Sequence, residues 1–246
     1  MMKRFVARNR KIFIILCFSL IFIITLIYNI PSWILGSIVD GESNGRLKLY
    51  NTEGTFWDGS GLLVAFGPKL ETSAPLILLN WSIKLGFSKL IDIQFSVGTH
   101  PIADVYINKN GLNLDHLNIS LSITQVEQLF DIVKDMGISG NINVLADHVQ
   151  IGKQMIGEFK IHLDNISSGI SPVNPLGSYS VELSADSGKV TVMSNPNAVL
   201  NVDGSGSIKA LTLNARVNPE HQQEMLQFIT LMGVPKTDGS YQLKIF

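Results

Sequence analysis

Two patterns of apolar and polar positions divide this chain. From Ile12 to Ile30 the residues IFIILCFSLIFIITLIYNI carry no charge, and no polar stripe interrupts them. At helical rise the run extends roughly 28 Å, close to the hydrocarbon thickness of a bilayer, so it predicts a transmembrane helix. Pro31 is expected to stop it. Beyond it, alternation takes over. Ile119, Leu121 and Ile123 alternate with Ser120 and Ser122, and Phe159, Ile161 and Leu163 with Lys160 and His162. Tyr179, Val181 and Leu183 continue the habit, as do Ile208 and, one step out of phase, Leu211, Leu213, Ala215 and Val217. About a dozen strands are expected by these rules. Turn signals stand at Asn110-Gly111, Ser187-Gly188, Asp203-Gly204 and Asp238-Gly239, the first and second reading as hairpin turns. Each strand has one dry face and one wetter face, which is the signature of antiparallel sheet.

Two helices are expected among the strands. Thr124-Gln125-Val126-Glu127 reads as a capping box, followed by Val126, Leu129, Phe130 and Val133 at helical spacing, with Gly137 as the stop. Asn218-Pro219 reads as an N-cap with Pro at the first helical position. Met225, Phe228, Ile229 and Met232 form the stripe of that second helix, and Gly233 ends it. Neither helix has a basic polar face, so both are expected to pack on the sheet rather than on a membrane. The expected fold is mainly β: a single N-terminal transmembrane helix, then an antiparallel, curved or sandwich-like β domain with two short helices. At 216 residues, that domain can bury roughly 70% of its unfolded surface without a disulfide.

Charge orients the chain. The 246 residues hold 19 bases and 20 acids, but Lys3, Arg4, Arg8, Arg10 and Lys11 precede the first acid, Asp40. The positive-inside rule therefore assigns residues 1–11 to the cytoplasm as a basic tail, 12–30 to the membrane and 31–246 to the far side. In a two-membrane bacterium this is a single-pass inner-membrane protein with a periplasmic β-rich domain. Tyr28 and Trp33 fall where an interfacial aromatic belt would lie. The apolar run is too long for a signal-peptide core, and NIPSWILGS offers no small-residue cleavage site, so the anchor is read as uncleaved. After Lys11, 14 bases face 20 acids, an acidic balance that argues against nucleic acid as a partner.

Reactive constellations are sparse. The lone Cys17 lies inside the anchor, which excludes an intrachain disulfide and a paired-cysteine metal site. His100, His116, His148, His162 and His221 show no metal-binding spacing, and no nucleophile elbow or phosphate loop occurs. Gly204-Ser205-Gly206-Ser207 reads as a turn between strands rather than a phosphate cradle. Asp115-His116 and Asp147-His148 are read as turn residues, since neighbours on a strand face opposite ways and cannot share a pocket. The segments around them, 113–119 and 144–151, form a faint internal echo. No catalytic, cofactor or metal residue is assigned, and no enzyme activity is expected.

The informative segment is Glu53-Gly54-Thr55-Phe56-Trp57-Asp58-Gly59-Ser60-Gly61. Two aromatics between glycines at a strand start read as a bulged edge, with Trp57 buried to close the core; a partner-contacting turn is the sharper alternative. With Leu79-Asn80-Trp81-Ser82-Ile83, Asn174-Pro175-Leu176-Gly177-Ser178-Tyr179 and the ending Leu231-Met232-Gly233 through Asp238-Gly239-Ser240-Tyr241-Gln242-Leu243, it resembles the type II secretion system protein N family. The basic N-terminus, single anchor and exit Pro31-Ser32-Trp33 are similar too. Gly54, Thr55, Trp57, Gly59 and Trp81 carry the motif. The resemblance implies an accessory scaffold of the machine that exports folded periplasmic proteins across the outer membrane. Its implied partners are other inner-membrane or periplasmic secretion components, with no cofactor. The alternative is an AsmA-like envelope protein whose sheet face handles lipid.

Overall fold

The computed structural model describes residues 2–152, 154–207 and 210–243; the side chains of residues 2–12 and of Ile132 also lie outside the description. Of the phase step expected near Lys209–Ala210, Ile208 and Lys209 therefore fall outside the described residues. Fourteen strands form one antiparallel sheet: β1 Leu47–Gly54, β2 Asp58–Phe66, β3 Ser73–Leu85, β4 Ile91–Val97, β5 His100–Asn108, β6 Gly111–Ser122, β7 Ile138–Ile151, β8 Met155–Ser168, β9 Gly177–Ser184, β10 Lys189–Ser194, β11 Leu200–Ser207, β12 Ala210–Val217, β13 Gly233–Pro235 and β14 Tyr241–Leu243. Spatial order follows chain order except at the end, where β14 lies between β12 and β13. The fold is mainly β, as alternation predicts. It is a single sheet, so the sandwich-like form is corrected: no second sheet faces it among the described residues.

The apolar stripe passes from strand to strand in register. Trp81 pairs with Phe95, Ile83 with Ile93, Val105 with Leu114, Leu114 with Val149, and Ile161 with Val181. Such opposed pairs place neighbouring apolar side chains on one face. Over β4 to β8 the stripe at Ile93, Val105, Ile119, Val144 and Ile161 is half-buried, neither sealed nor fully open.

The helices are α1 Met2–Tyr28, α2 Trp33–Glu42, α3 Ile123–Val126, α4 Asp131–Asp135 and α5 Gln222–Met232. Helix α1 ends two residues before the expected limit at Ile30 and encloses Ile12. Among the described residues no helix is long and apolar enough to cross a membrane; the side chains described on α1 begin at Phe13, inside the apolar run. The described side chains of α1 are largely exposed, Phe13 at 67% and Phe18 at 72%. The expected helices fare differently. The stripe and stop of α5 form as read, with Met225, Phe228 and Ile229 buried and Gly233 ending it. The expected cap instead starts a 3-10 turn over Pro219–His221, where Asn218 Oδ1 accepts the Glu220 amide at 3.2 Å, and α5 itself begins at Gln222 without a side-chain cap. The middle helix is broken into α3, a 3-10 turn over Glu127–Leu129, and α4. Its capping box starts at Ser122, not Thr124, with Gln125 Oε1 accepting the Ser122 amide at 2.9 Å. Strand β6 runs on to Ser122, so the helix begins directly after the strand. α2 carries no side-chain cap and was not expected.

Two apolar clusters anchor the sheet. α5 covers β9 to β12, packing Met225, Phe228 and Ile229 among Tyr179, Val190, Val192, Leu200, Val202 and Ala215. At the other end Leu129 packs with Ala65 and Ala74, supported by Leu47, Leu76 and Val126.

Two turn assignments are corrected. Asp203-Gly204 and Gly204–Ser207 lie inside β11. A Cβ on Gly204 or Gly206 would stand 2.2 Å from the Thr212 or Ala210 carbonyl oxygen, so these glycines mark close approach to β12. Asn110-Gly111 and Ser187-Gly188 do lie between paired strands, and Asp238-Gly239 links β13 to β14.

Candidate functional site: the helix–sheet junction

The motif Gly54–Gly59 joins β1 to β2 and meets the end of α1. Thr55 closes the turn: its amide donates to the Asp58 carbonyl at 2.8 Å, and its hydroxyl accepts the Asp58 amide at 3.2 Å. Gly54 has φ +85, and a Cβ there would stand 2.5 Å from the Asp58 carbonyl oxygen. Both the left-handed backbone and the lack of space require glycine. Gly59 is required for a different reason. It pairs across the strands with Trp81, and a Cβ on it would reach within 2.7 Å of the indole.

Trp81, only 2% exposed, therefore lies against a glycine floor. Its indole N–H donates to the Phe56 carbonyl at 3.1 Å and the Thr55 carbonyl at 3.3 Å. A buried indole needs such a partner, and a tight turn supplies carbonyls without strand partners. Trp57 is the correction: it is half-buried rather than closing the core. Its ring meets Phe56 edge-on, with centroids 5.2 Å apart. Its indole N–H donates to the Ile27 carbonyl at 2.7 Å, and its own carbonyl accepts the Ile83 amide at 2.6 Å. The Phe56 amide donates to the Ile30 carbonyl at 2.7 Å, and Pro31 bridges to Thr55. The last carbonyls of a helix lack intrahelical donors. Here the Trp57 indole reaches the Ile27 carbonyl in the last turn of α1 and the Phe56 amide the Ile30 carbonyl just beyond it, so the first hairpin holds the C-terminal end of α1 and its exit.

Two hollows flank the junction. A mostly apolar notch of about 410 Å³ is lined by Ile24, Ile27, Tyr28, Trp57, Ile83 and Leu85, with Asp58 and Ser82 at its polar side. An open trough of about 650 Å³ carries Glu53, Asp58 and Asp104 among uncharged polar residues and the apolar Trp81, Phe95 and Pro101. Among the described residues no group of three or more metal-ligating side chains occurs.

The Asp-His residues are strand residues, not turns. The echo segments are neighbours in the sheet, with Asp115 opposite His148 and Leu114 opposite Val149. His148 Nδ1 lies 2.5 Å from Asp115 Oδ1, a cross-strand contact that reasoning within each dipeptide missed. His116 has φ +52, and His162 lies in β8. The pair sits on an open strand face with His148 59% exposed, and among the described residues no nucleophile is hydrogen-bonded to it.

The later landmarks also hold backbone. Asn174 takes the Ser168 amide on Oδ1 at 2.9 Å and donates to the Ser168 carbonyl at 3.0 Å. Tyr179 donates to the Leu200 carbonyl at 2.9 Å, and burial pushes its phenol well above the usual range. Asp238 accepts the Ser240 hydroxyl at 2.6 Å and amide at 3.1 Å, with Arg216 at 3.2 Å, which holds its carboxyl at about 2.

A family model described as Type II secretion system (T2SS), protein N, matches residues 45–244. The chain belongs to that family. The protein N match begins after α2 and takes in every strand of the sheet, so membership ties this chain to type II secretion. Neither a curated protein nor a solved structure matches the chain.

Proposed function

We propose that this protein is an inner-membrane accessory component of the type II secretion machinery, acting as a non-catalytic scaffold. Residues 12–30 are its single anchor, residues 1–11 are cytoplasmic and residues 31–246 are periplasmic. Support for the anchor comes from the uncharged 19-residue run, the five bases before it and apolar side chains directed outward around α1. The observation that carries the scaffold reading is what the motif residues do. Thr55, Trp57 and Trp81 bind backbone at the helix–sheet junction, and Asn174, Tyr179 and Asp238 bind backbone elsewhere. Tethering the domain raises the effective concentration of weakly bound secretion components without any new contact.

Releasing residues 31–246 as a soluble periplasmic protein at native abundance should weaken secretion, and overexpression should restore it. Replacing residues 12–30 with an unrelated span should retain most secretion, because Trp57 and Phe56 bind main-chain carbonyls, which a span of any sequence offers. Full secretion by the soluble domain at native abundance would remove the tethering argument. Exchange of His116, His148 or His162 for Ala should leave secretion intact; loss in a folded, abundant variant would end the non-catalytic reading. A reporter fused after Phe246 should be active only if it matures outside the cytoplasm.

A further inference from the structure

Moving from Pro31 back into α1, the contacts step from Pro31 with Thr55, to Ile30 with Phe56, to Ile27 with Trp57. β3 continues that descent. Ile83 bonds to Trp57, and Leu85 shares the apolar notch with Ile24 and Ile27. Leu85 thus stands beside a residue one helical turn inside Tyr28, about 5–6 Å deeper. The chain then runs on through the β3–β4 tip, where Phe87 is 107% exposed and Leu85 and Leu90 are also open to solvent. Three large apolar side chains thus stand open within one hairpin tip, and such clusters mark protein or membrane contacts where a single exposed residue would not.

The neighbouring tips share this edge. The Leu90 amide donates to the Ile107 carbonyl at 2.8 Å, joining the β3–β4 tip to the end of β5. Leu112 pairs with Ile151, which sets the β7–β8 tip beside the β5–β6 turn, and Met155 and Ile156 are exposed there. Lys84 and Lys109 are exposed along the same rim, while Lys89 is held by Asp92 and over the Tyr106 ring. Apolar tips with lysines behind them suit the boundary between acyl chains and phosphates.

We propose that this rim is a second membrane contact: the β3–β4 tip, with Phe87 foremost, enters the interfacial layer of the leaflet from which α1 emerges, and the β7–β8 tip rests on the same leaflet. The inference rests on the reading of residues 12–30 as a span. It makes the sheet stand on the bilayer at a set angle rather than swing from a single helix.

The test uses the full chain with Cys17→Ser and Phe87→Cys, labelled with an environment-sensitive fluorophore and reconstituted into phosphatidylethanolamine–phosphatidylglycerol vesicles. The label should shift to shorter wavelength on reconstitution and lose intensity to nitroxides on shallow acyl positions. The same label at Met155 should respond more weakly, and at Thr99, on the opposite edge, not at all. Co-flotation resistant to alkaline carbonate is read first on the same sample. Protein that fails to float overturns the anchor and this inference together. Protein that floats while labels at 87 and 155 stay in water overturns the inference alone, and would assign the tips to a protein partner.

Discussion

At the C-terminal end of the sheet, α5 lays Met225, Phe228 and Ile229 over β9 to β12, and the hold is apolar area removed from water. At the N-terminal end, the end of α1 meets the sheet through the half-buried Trp57 indole on the Ile27 carbonyl and the Phe56 amide on the Ile30 carbonyl, with the buried Trp81 indole holding the turn that carries both. The first attachment is non-directional and tolerates changes of shape at equal volume. The second is directional, because each bond fixes an angle between helix and sheet. A cover needs adhesion, whereas a junction that carries an anchor needs orientation.

Truncating the central residue at each end should show the contrast most strongly. Phe228→Ala and Trp81→Ala should each cost about 3–5 kcal/mol in denaturant unfolding of the detergent-solubilised chain. Hydrogen exchange should separate them, with Phe228→Ala exposing β10 to β12 and Trp81→Ala exposing the 54–59 turn and β3. Loss of protection at both ends in either variant would show a single cooperative unit and erase the comparison. Next in size is Gly54→Ala, which forces a side chain into φ +85 against the Asp58 carbonyl and should cost about 1–3 kcal/mol. An unchanged melting temperature there would mean that the turn is not held in this form.

Smaller again is Trp57→Phe, which keeps the ring and removes the bond to Ile27. It should cost about 0.5–1.5 kcal/mol and broaden the helix-to-sheet distance distribution between spin labels. A distribution as narrow as the native one would leave orientation to Phe56 and Ile30 alone. Least is the turn at Asp238. Its carboxyl, held at about 2 first by the Ser240 hydroxyl and amide and then by Arg216, sits below its ordinary 3.8. That hydrogen bonding stabilises the fold above about 3.8 and is lost as the pH falls through about 2. Ser240→Ala should move the Asp238 midpoint towards 3.8 in an NMR titration and leave the junction unchanged; a midpoint that stays near 2 would assign the shift to the backbone amide at 240 and Arg216 rather than to the hydroxyl.

Much of the sheet was legible because an antiparallel strand writes its two faces into alternate residues, as in Tyr179–Leu183 and Phe159–Leu163. The second helix was legible for a similar local reason, with Asn218-Pro219 starting the 3-10 turn that leads into it and its stripe ending at Gly233. Reading failed where a residue serves a neighbour distant in sequence. Gly204 and Gly206 looked like a turn because glycine for close approach to β12 and glycine for a bend are the same letter. Asp115 and His148 were separated in the reading because their contact crosses two strands. α2 lacks a cap, so no local signal announced it.

The sequence by itself determined the β class, the division into an uncharged run and an alternating body, the α5 helix and the motif residues Gly54, Thr55, Trp57, Gly59 and Trp81. Each rests on interactions within a few residues or on a periodicity. Only the tertiary structure decided that fourteen strands make one sheet, that Trp81 rather than Trp57 is the buried indole, and that Trp57 binds the end of α1. Those facts depend on which strand pairs with which, and pairing is settled by packing summed over the whole sheet rather than by any local stretch of chain.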